Sequence, residues 1–358
     1  MDFEFLQLQK QQLDEIPQFL QQAYPGEVRK LDPGYLRWFY LQNPNADPDG
    51  LPLWVVRNNG RIVGQLATIP VQLKVGEVST RAIWVLEFIV LEEFRGKGLG
   101  KKLVLAAREK YPTMITLGIN DASTRVFTSL GWKPMGSIHR YHRMLFAGTA
   151  ACTYGKHNWL RECLNSVSWP LRVSQGKRSS AAKYQIGRDT ILGPEVDKFW
   201  ESASSQWPVV VRRDHKFVQW QFLQQPGKAF EVVRLYERNR LVGYSILFFR
   251  KGRDNGPPPK AAISDLAYDS RNQTEIIDAL LSASLDLAIE RKAGSLVTDI
   301  SDVRVEAQLR GHRFWRVKNS PRFMASSPDF QDILYEPKHW YLTRADSDLS
   351  IFEEPNVS

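Results

Sequence analysis

WVLEFIVLEEFRGKGLGKKL, residues 84–103, is the stretch whose reading decides the fold. Up to Val90 it is apolar apart from Glu87, the composition of a strand in a sheet interior. Glycines then stand at 96, 98 and 100, and a basic amphipathic helix is expected over Lys101–Tyr111. Glycines let the backbone approach a ligand closely, and the first N–H groups of a helix lack intrahelical partners. A diphosphate can accept hydrogen bonds from those donors, helped by the positive end of the helix dipole. Two familiar phosphate loops do not fit. A Walker loop needs Lys-Ser/Thr after its last glycine, where this chain has Lys101 and Lys102. A GxGxxG turn needs a third glycine where Lys101 or Leu103 stands.

Working outward, the spacing predicts a short strand at Phe3–Leu8 and helices over Asp14–Ala23 and Pro33–Gln42, the second opening on a proline. Leu53–Arg57 and Arg61–Val71 read as a hairpin through Asn58, Asn59 and Gly60, a strong turn signal. Arg81–Val90 is the long apolar strand. After the glycine turn and its helix come a strand at Thr113–Ile119 and a helix at Ala122–Leu130, with Gly131 as its stop. Strands that first meander and then cross over through helices imply an α/β fold with a mixed sheet and helices on both faces.

The second half repeats this order. Residues 35–44, with Trp38, Leu41, Gln42 and Pro44, resemble residues 217–226, with Trp220, Leu223, Gln224 and Pro226. Arg61 to Gly64 matches Arg240 to Gly243, Glu87 to Val90 echoes Asp265 to Tyr268, and Leu130-Gly131 falls near Arg310-Gly311. The offset stays at roughly 180 residues throughout, as a duplication would give. The glycine loop is not repeated. Asp269 to Thr274 leads into a helix expected at Glu275–Arg291, with Thr274 or Ser270 as its cap. Between the copies, a helix is expected at His157–Val167 and an exposed linker at Ser174–Ser180.

Arg95-x-x-Gly98-x-Gly100, placed between an apolar strand and an amphipathic helix, resembles the Q/R-x-x-G-x-G/A signature of the GNAT N-acetyltransferase superfamily. The likeness runs over roughly Phe3–Phe146. It implies two GNAT-like domains in tandem, each a mostly antiparallel central sheet flanked by helices. The expected division is a competent domain at 1–147, a linker at 148–182, a degenerate copy without the loop at 183–348 and a tail at 349–358. By resemblance, acetyl-CoA or another acyl-CoA is the co-substrate. Its pyrophosphate would rest on Arg95, Gly96, Lys97, Gly98, Leu99, Gly100 and Lys101, its pantetheine on the backbone of Phe88, Ile89 and Val90, and Asn120 would contact it near a helix start. Trp132 is expected to begin the strand that the family usually begins with Phe.

The family transfers the acyl group by direct attack of an amine, so positioning carries much of the catalysis. Glu87, a carboxylate in an apolar strand, is the candidate general base, since burial raises the pKa of a carboxylate. Facing solvent or pairing with a nearby Arg is the competing reading. The family's general acid is a Tyr at the place of Phe127, which cannot donate a proton; Tyr111, Tyr141 and Tyr40 are candidate substitutes. That departure keeps a non-catalytic acyl-CoA-binding module open as a second function. The acceptor is expected to be an amine of a small molecule, amino sugar or peptide.

The net charge of +9 suits anionic partners, and Arg95, Lys97, Lys101, Lys102, Arg108 and Lys110 concentrate much of it in the loop-helix unit. A third reading is a basic nucleic-acid binder, with Arg304, Arg310, Arg313 and Arg316 beside Phe314 and Trp315 as a second basic cluster; a solvated edge accounts for that cluster more simply. Two cysteines and six histidines without HExxH spacing argue against a disulfide framework or a metal site. Asp346 and Asp348 are read as ending a strand, and the eleven tryptophans as core. The N-terminal residues lack an apolar signal region, and no run is long enough to span a bilayer, so a cytoplasmic protein is expected.

Overall fold

The computed structural model describes residues 2–146, 183–190, 192–250, 259–318 and 320–348. The helix expected at 157–167, the linker at 174–180 and the tail at 349–358 lie outside these residues, as do Trp159 and Trp169.

The first half builds β1 (Phe3–Gln7), α1 (Ile16–Ala23), α2 (Pro33–Leu41), β2 (Leu53–Asn58), β3 (Arg61–Val75) and β4 (Val78–Val90). It continues with α3 (Leu99–Lys110), β5 (Met114–Leu117), α4 (Asp121–Ser129), β6 (Lys133–Ser137) and β7 (His139–Met144). Asp32 caps α2, its carboxylate accepting from the Tyr35 N–H at 2.7 Å ahead of Pro33. Gly131 ends α4 at φ +82°, a conformation open to glycine. The second half adds β8 (Gln185–Asp189), α5 (Glu195–Ala203), β9 (Val209–Val211), α6 (His215–Val218), β10 (Phe230–Glu237), β11 (Arg240–Arg250) and β12 (Lys260–Tyr268). It closes with α7 (Gln273–Glu290), β13 (Ser295–Ile300), α8 (Val303–Gly311), β14 (Trp315–Arg316), β15 (Arg322–Ser326) and β16 (Trp340–Tyr341). The cap expected for α7 is not used: Asn272, at φ +51°, precedes the helix without a side-chain cap, and Thr274 lies inside it.

Two mixed sheets result. One runs β1-β2-β3-β4-β5-β15-β6, with β9 on the far end of β3 and β16 beside β9; the other runs β8-β10-β11-β12-β13-β7-β14. The orders correspond place by place. In each, a hairpin leads to a long central strand, then to a parallel neighbour, β4 with β5 and β12 with β13. The sixth place in each sheet is taken by a strand from the other half. β15 lies antiparallel between β5 and β6, and β7 lies antiparallel between β13 and β14. The sheets therefore do not follow the division at 147 and 183 that the resemblance implies. The first half lends β7 to the second sheet, and the second half lends β15, with β9 and β16, to the first.

Alternation along β4 explains its burial. Ile83 and Val85 join the core under α3, with Leu103, Val104, Phe127 and Trp132. Ala82, Trp84 and Leu86 point to the other face, into a core shared by both halves that includes Phe39, Phe217 and Trp340. At the centre of the shared core Trp38 and Trp220 stack, with ring centroids 5.2 Å apart. The indole N–H of Trp38 donates to the Trp220 carbonyl at 2.7 Å, and that of Trp220 to the Trp38 carbonyl at 2.9 Å. The two tryptophans that match in sequence meet in a reciprocal contact. Gly64 and Gly243 also occupy matching registers, opposite Val56 and Leu235, each followed by a one-residue slip in its hairpin.

Candidate functional site

The site opens where β4 and β5 part. Their registered pairs are Ile83 with Met114 and Trp84 with Ile115, after which β4 continues to Val90. The Thr116 hydroxyl donates to the Val85 carbonyl at 3.0 Å at the start of the fork. On its other edge β4 carries a bulge. Ile89 pairs with Gln65 and Leu86 with Ala67, so Glu87 and Phe88 share the space opposite Leu66. Glu87 sits in the bulge at φ +30°, a strained conformation for a residue with a side chain. Fork and bulge turn the backbone of residues 87–90 towards a cleft of about 700 Å³.

The opposite wall is the glycine turn and the start of α3. Gly96 and Gly98 have φ of +78° and +74°, and a Cβ at either would meet nothing within 4 Å. Gly98 is the N-cap of α3 and has no side chain to satisfy the first N–H groups, which are left for a ligand. Gly100 has a different reason to be glycine, because its Cβ would approach the Phe88 ring to 2.6 Å. That ring in turn lies 5.5 Å from Phe127.

Of the residues singled out from the sequence, Glu87, Phe88, Ile89, Val90, Arg95, Gly96, Gly98, Leu99, Gly100, Lys101 and Asn120 line this one cleft. Lys97 does not. Its ammonium lies over the rings of Phe94 and Phe3, at 5.2 and 6.0 Å. The Arg95 guanidinium folds back, Nε donating to the Val90 carbonyl at 2.9 Å. Asn120 caps α4 by accepting from the Ser123 N–H at 2.8 Å, and Trp132 is buried immediately before β6.

Glu87 neither faces solvent nor pairs with an arginine. Its carboxylate accepts from the Lys30 ammonium and, at 3.4 Å, from the Gln65 amide, with the carboxylate and Lys30 only 6% and 14% exposed. Lys30 also lies 3.7 Å from the centre of the Tyr24 ring. The corresponding Asp265 is structural. It is fully buried, accepts from the Arg213 guanidinium at 3.1 Å and from the Tyr244 hydroxyl at 3.0 Å, and Arg213 also bonds Asp346 at 2.7 Å. Burial pushes the Asp346 carboxyl up to about 6.

Phe127 is core, packed 4.6 Å from Trp132. None of the three tyrosines proposed to replace it lines the cleft. The Tyr111 hydroxyl accepts from Arg81 at 2.8 Å, Tyr141, in the second sheet, donates to Glu306 of α8 at 3.1 Å, and Tyr40 is enclosed in the core. The tyrosine that does line it is Tyr24, together with Asp348 from the end of the second half. Burial, and then the charges of Glu87 and Asp348, raise the Tyr24 phenol far above its ordinary range, so it keeps its proton. Tyr24 follows α1 and precedes Pro25-Gly26, a turn signal that marks a fixed position but gives no hint of this cleft.

One weaker signal resolves in part into ion pairs. In the second basic cluster Arg304 pairs with Asp302 at 2.6 Å and Arg310 with Glu306 at 3.3 Å. Among the described residues no cluster of His, Cys, Asp and Glu could hold a metal, and no helix is long and apolar enough to cross a membrane.

Residues 13–132 match the model of the acetyltransferase (GNAT) family. No curated protein matches the sequence. Among solved structures, a probable N-acyltransferase from Enterococcus faecalis V583 aligns with a TM-score of 0.61 at 14% identity, over 93% of this chain and 75% of that one. Saccharomyces cerevisiae N-myristoyltransferase with bound myristoyl-CoA aligns with a TM-score of 0.58 at 12% identity, over 90% of this chain and 82% of that one. A GCN5-related N-acetyltransferase from Anabaena variabilis also gives 0.58 at 12% identity, over 90% and 72% of the respective chains. These likenesses establish the fold across most of the chain, and the match to the GNAT family model covers residues 13–132.

Proposed function

We propose that this chain, with its GNAT domain at residues 13–132, is a CoA-dependent N-acyltransferase, with acetyl-CoA the first donor to test. The observation that carries the reading is the single cleft in which the β4–β5 fork, the Glu87 bulge and the bare N-terminus of α3 converge. The fork offers extended backbone to a pantetheine arm, and the helix start offers N–H donors to a diphosphate. An amine entering beside Glu87 would attack the thioester carbonyl in a ternary complex. The N–C bond forms, the C–S bond breaks, and the proton lost by nitrogen passes to the Glu87 carboxylate, directly or through water. Lys30 orients that carboxylate. Tyr24 carries the proton that the leaving thiolate needs, in place of the usual residue at 127. The second half, read as a duplicated copy that lost the glycine loop, completes the acceptor side of the cleft.

A second reading, an acyl-CoA-binding protein without turnover, is favoured by Phe127 and by the Lys30–Glu87 pair, which engages the would-be base. One experiment separates the two. Acetyl-CoA and longer acyl-CoAs are titrated calorimetrically, and thiol release is then followed with a panel of amines. Transfer predicts thiol release that Glu87→Gln and Tyr24→Phe each lower at least tenfold without weakening donor binding. Binding without release by any amine would leave the sensor reading standing, and no binding of any acyl-CoA would refute both.

A further inference from the structure

Lys30 brings a primary amine to the group proposed as the general base. Its ammonium is bonded to the Glu87 carboxylate and lies 3.7 Å from the centre of the Tyr24 ring, and both Glu87 and Tyr24 line the cleft. We propose that Lys30 is itself an acyl acceptor: with an acyl-CoA in the cleft, the chain transfers the acyl group to its own Lys30 Nζ. The proposal deepens the transferase reading above and rests on its donor site and its base.

Enclosure is the first support. The Lys30 side chain is only 14% exposed, whereas Lys133 and Lys198 are exposed. A lysine is seldom drawn out of water without a partner, and here the carboxylate and the face of a tyrosine ring supply one. The choice of cation is the second. At the matching place in the second half, the cation that holds Asp265 is the Arg213 guanidinium. A guanidinium keeps its proton and grips a carboxylate firmly, which suits a purely structural pair; an amine that gives up a proton is a nucleophile. The half with the glycine loop has the amine, and the half without it has the guanidinium. Access is the third. Lys30 arrives from the turn Val28–Leu31, between α1 and α2, which leaves the glycine turn and the fork to the donor. Glu87 immediately precedes Phe88–Val90, so a thioester carried on that backbone ends beside the base and its amine.

In the step itself, one ammonium proton passes along the existing hydrogen bond to the Glu87 carboxylate, and the neutral nitrogen attacks the thioester carbonyl. The N–C bond forms and the C–S bond breaks. The leaving thiolate takes the Tyr24 hydroxyl proton, which is replaced through water by a second proton from nitrogen, and Glu87 returns its proton to solvent. Nitrogen keeps one of its three hydrogens as the amide N–H. Amine and base are held together before the donor enters, so little of the barrier is spent on encounter. The amide is neither charged nor nucleophilic, so the reaction ends at a single acyl group and the ion pair with Glu87 is lost.

The full chain is incubated with acetyl-CoA, and in parallel with octanoyl-CoA, with no amine added. Thiol release, intact mass and peptide mass maps are followed. With at least one donor, thiol release should stop at one equivalent per chain, the acyl group should map to Lys30, and the rate constant should not change on dilution. Lys133 and Lys198 report plain chemical acylation, and Lys30 should be labelled at least about tenfold faster than either. Glu87→Gln should slow Lys30 labelling about tenfold or more and leave the two reference lysines as they were. Lys30→Arg keeps a cation beside Glu87 and should melt like the native chain, yet lose the single-equivalent release. An unmodified Lys30 with both donors, labelling no faster than at the reference lysines, or labelling unchanged in Glu87→Gln would each overturn the proposal. Turnover with added amines is followed separately. Release with an amine while Lys30 stays unmodified fails the proposal alone, and a labelled Lys30 without turnover on any amine supports it and fails only transfer to an external acceptor.

Discussion

Replacing Gly98 by aspartate isolates the electrostatics of the glycine turn. At φ +74° a Cβ would meet nothing within 4 Å, so the substitution clashes with no atom and its side chain enters the cleft. The fold pays only for a left-handed residue, about 1 kcal/mol or less for Asp or Asn, which tolerate that region best. The charge does more. A carboxylate about 5 Å from one phosphate charge, at an effective dielectric of about 20, is repelled by about 3 kcal/mol. That corresponds to an affinity loss on the order of 100-fold. Gly98→Asn has the same shape and backbone preference without the charge and serves as the reference. Calorimetric titration of acetyl-CoA should give two variants that melt within a few degrees of each other, with Gly98→Asp binding at least 30-fold more weakly than Gly98→Asn, a gap that narrows as salt is raised. Equal affinities would show that the diphosphate does not lie against the start of α3, and the donor would have to be placed elsewhere in the cleft.

Arg213→Met should leave Asp265 and Asp346 buried without their shared cation and cost about 3–5 kcal/mol, read from the urea midpoint; a loss below about 1 kcal/mol would refute the cluster's structural role. Trp38→Phe and Trp220→Phe each remove one indole donor from a reciprocal contact, so a double-mutant cycle should show coupling of about 1 kcal/mol, and strict additivity would contradict it. Burial, aided by Lys260, lowers the His142 pKa below its ordinary 6.5, so the unfolded chain takes up the proton first. The resulting stability is complete above pH 6.5 and declines as pH falls through the folded value. Unfolding free energies measured from pH 7.5 down to 5 should fall less steeply in His142→Gln than in the native chain, and identical slopes would remove His142 from the account.

The parts legible from the sequence are those set by local chemistry. The hairpin through Asn59-Gly60, the start of α2 on Pro33 and the turn before α3 all follow from residues within a few positions of one another. Even β4 was legible, since a run that is apolar but for Glu87 needs cover on both faces. Pairings over long separations were not. Glu87 stood out as an unusual carboxylate, but its partner Lys30 comes from a short turn with no periodicity to announce it. The same distance hid Tyr24, and it hid the exchange of β7 and β15, whose residues do not distinguish one antiparallel partner from another. The repeat marked by Trp38 and Trp220 was visible as a pattern; that the two indoles would meet was not.

The exchange also imposes a schedule on synthesis. β5 is complete at Leu117, but the strand that lies beside it begins at Arg322, roughly 200 residues later. At ribosomal rates of about 5–20 residues per second, that slot stays open on the order of 10–40 s. During this interval the facing edges of β5 and β6 are bare, and β7 has yet to meet β13. Open edges of this kind can pair with another nascent chain as readily as with their own. Two chains emerging side by side could trade the late strand and close as an interlocked dimer, so slower translation or crowded ribosomes should raise the share of swapped dimers. Neither sheet can be completed until most of the polypeptide has been made.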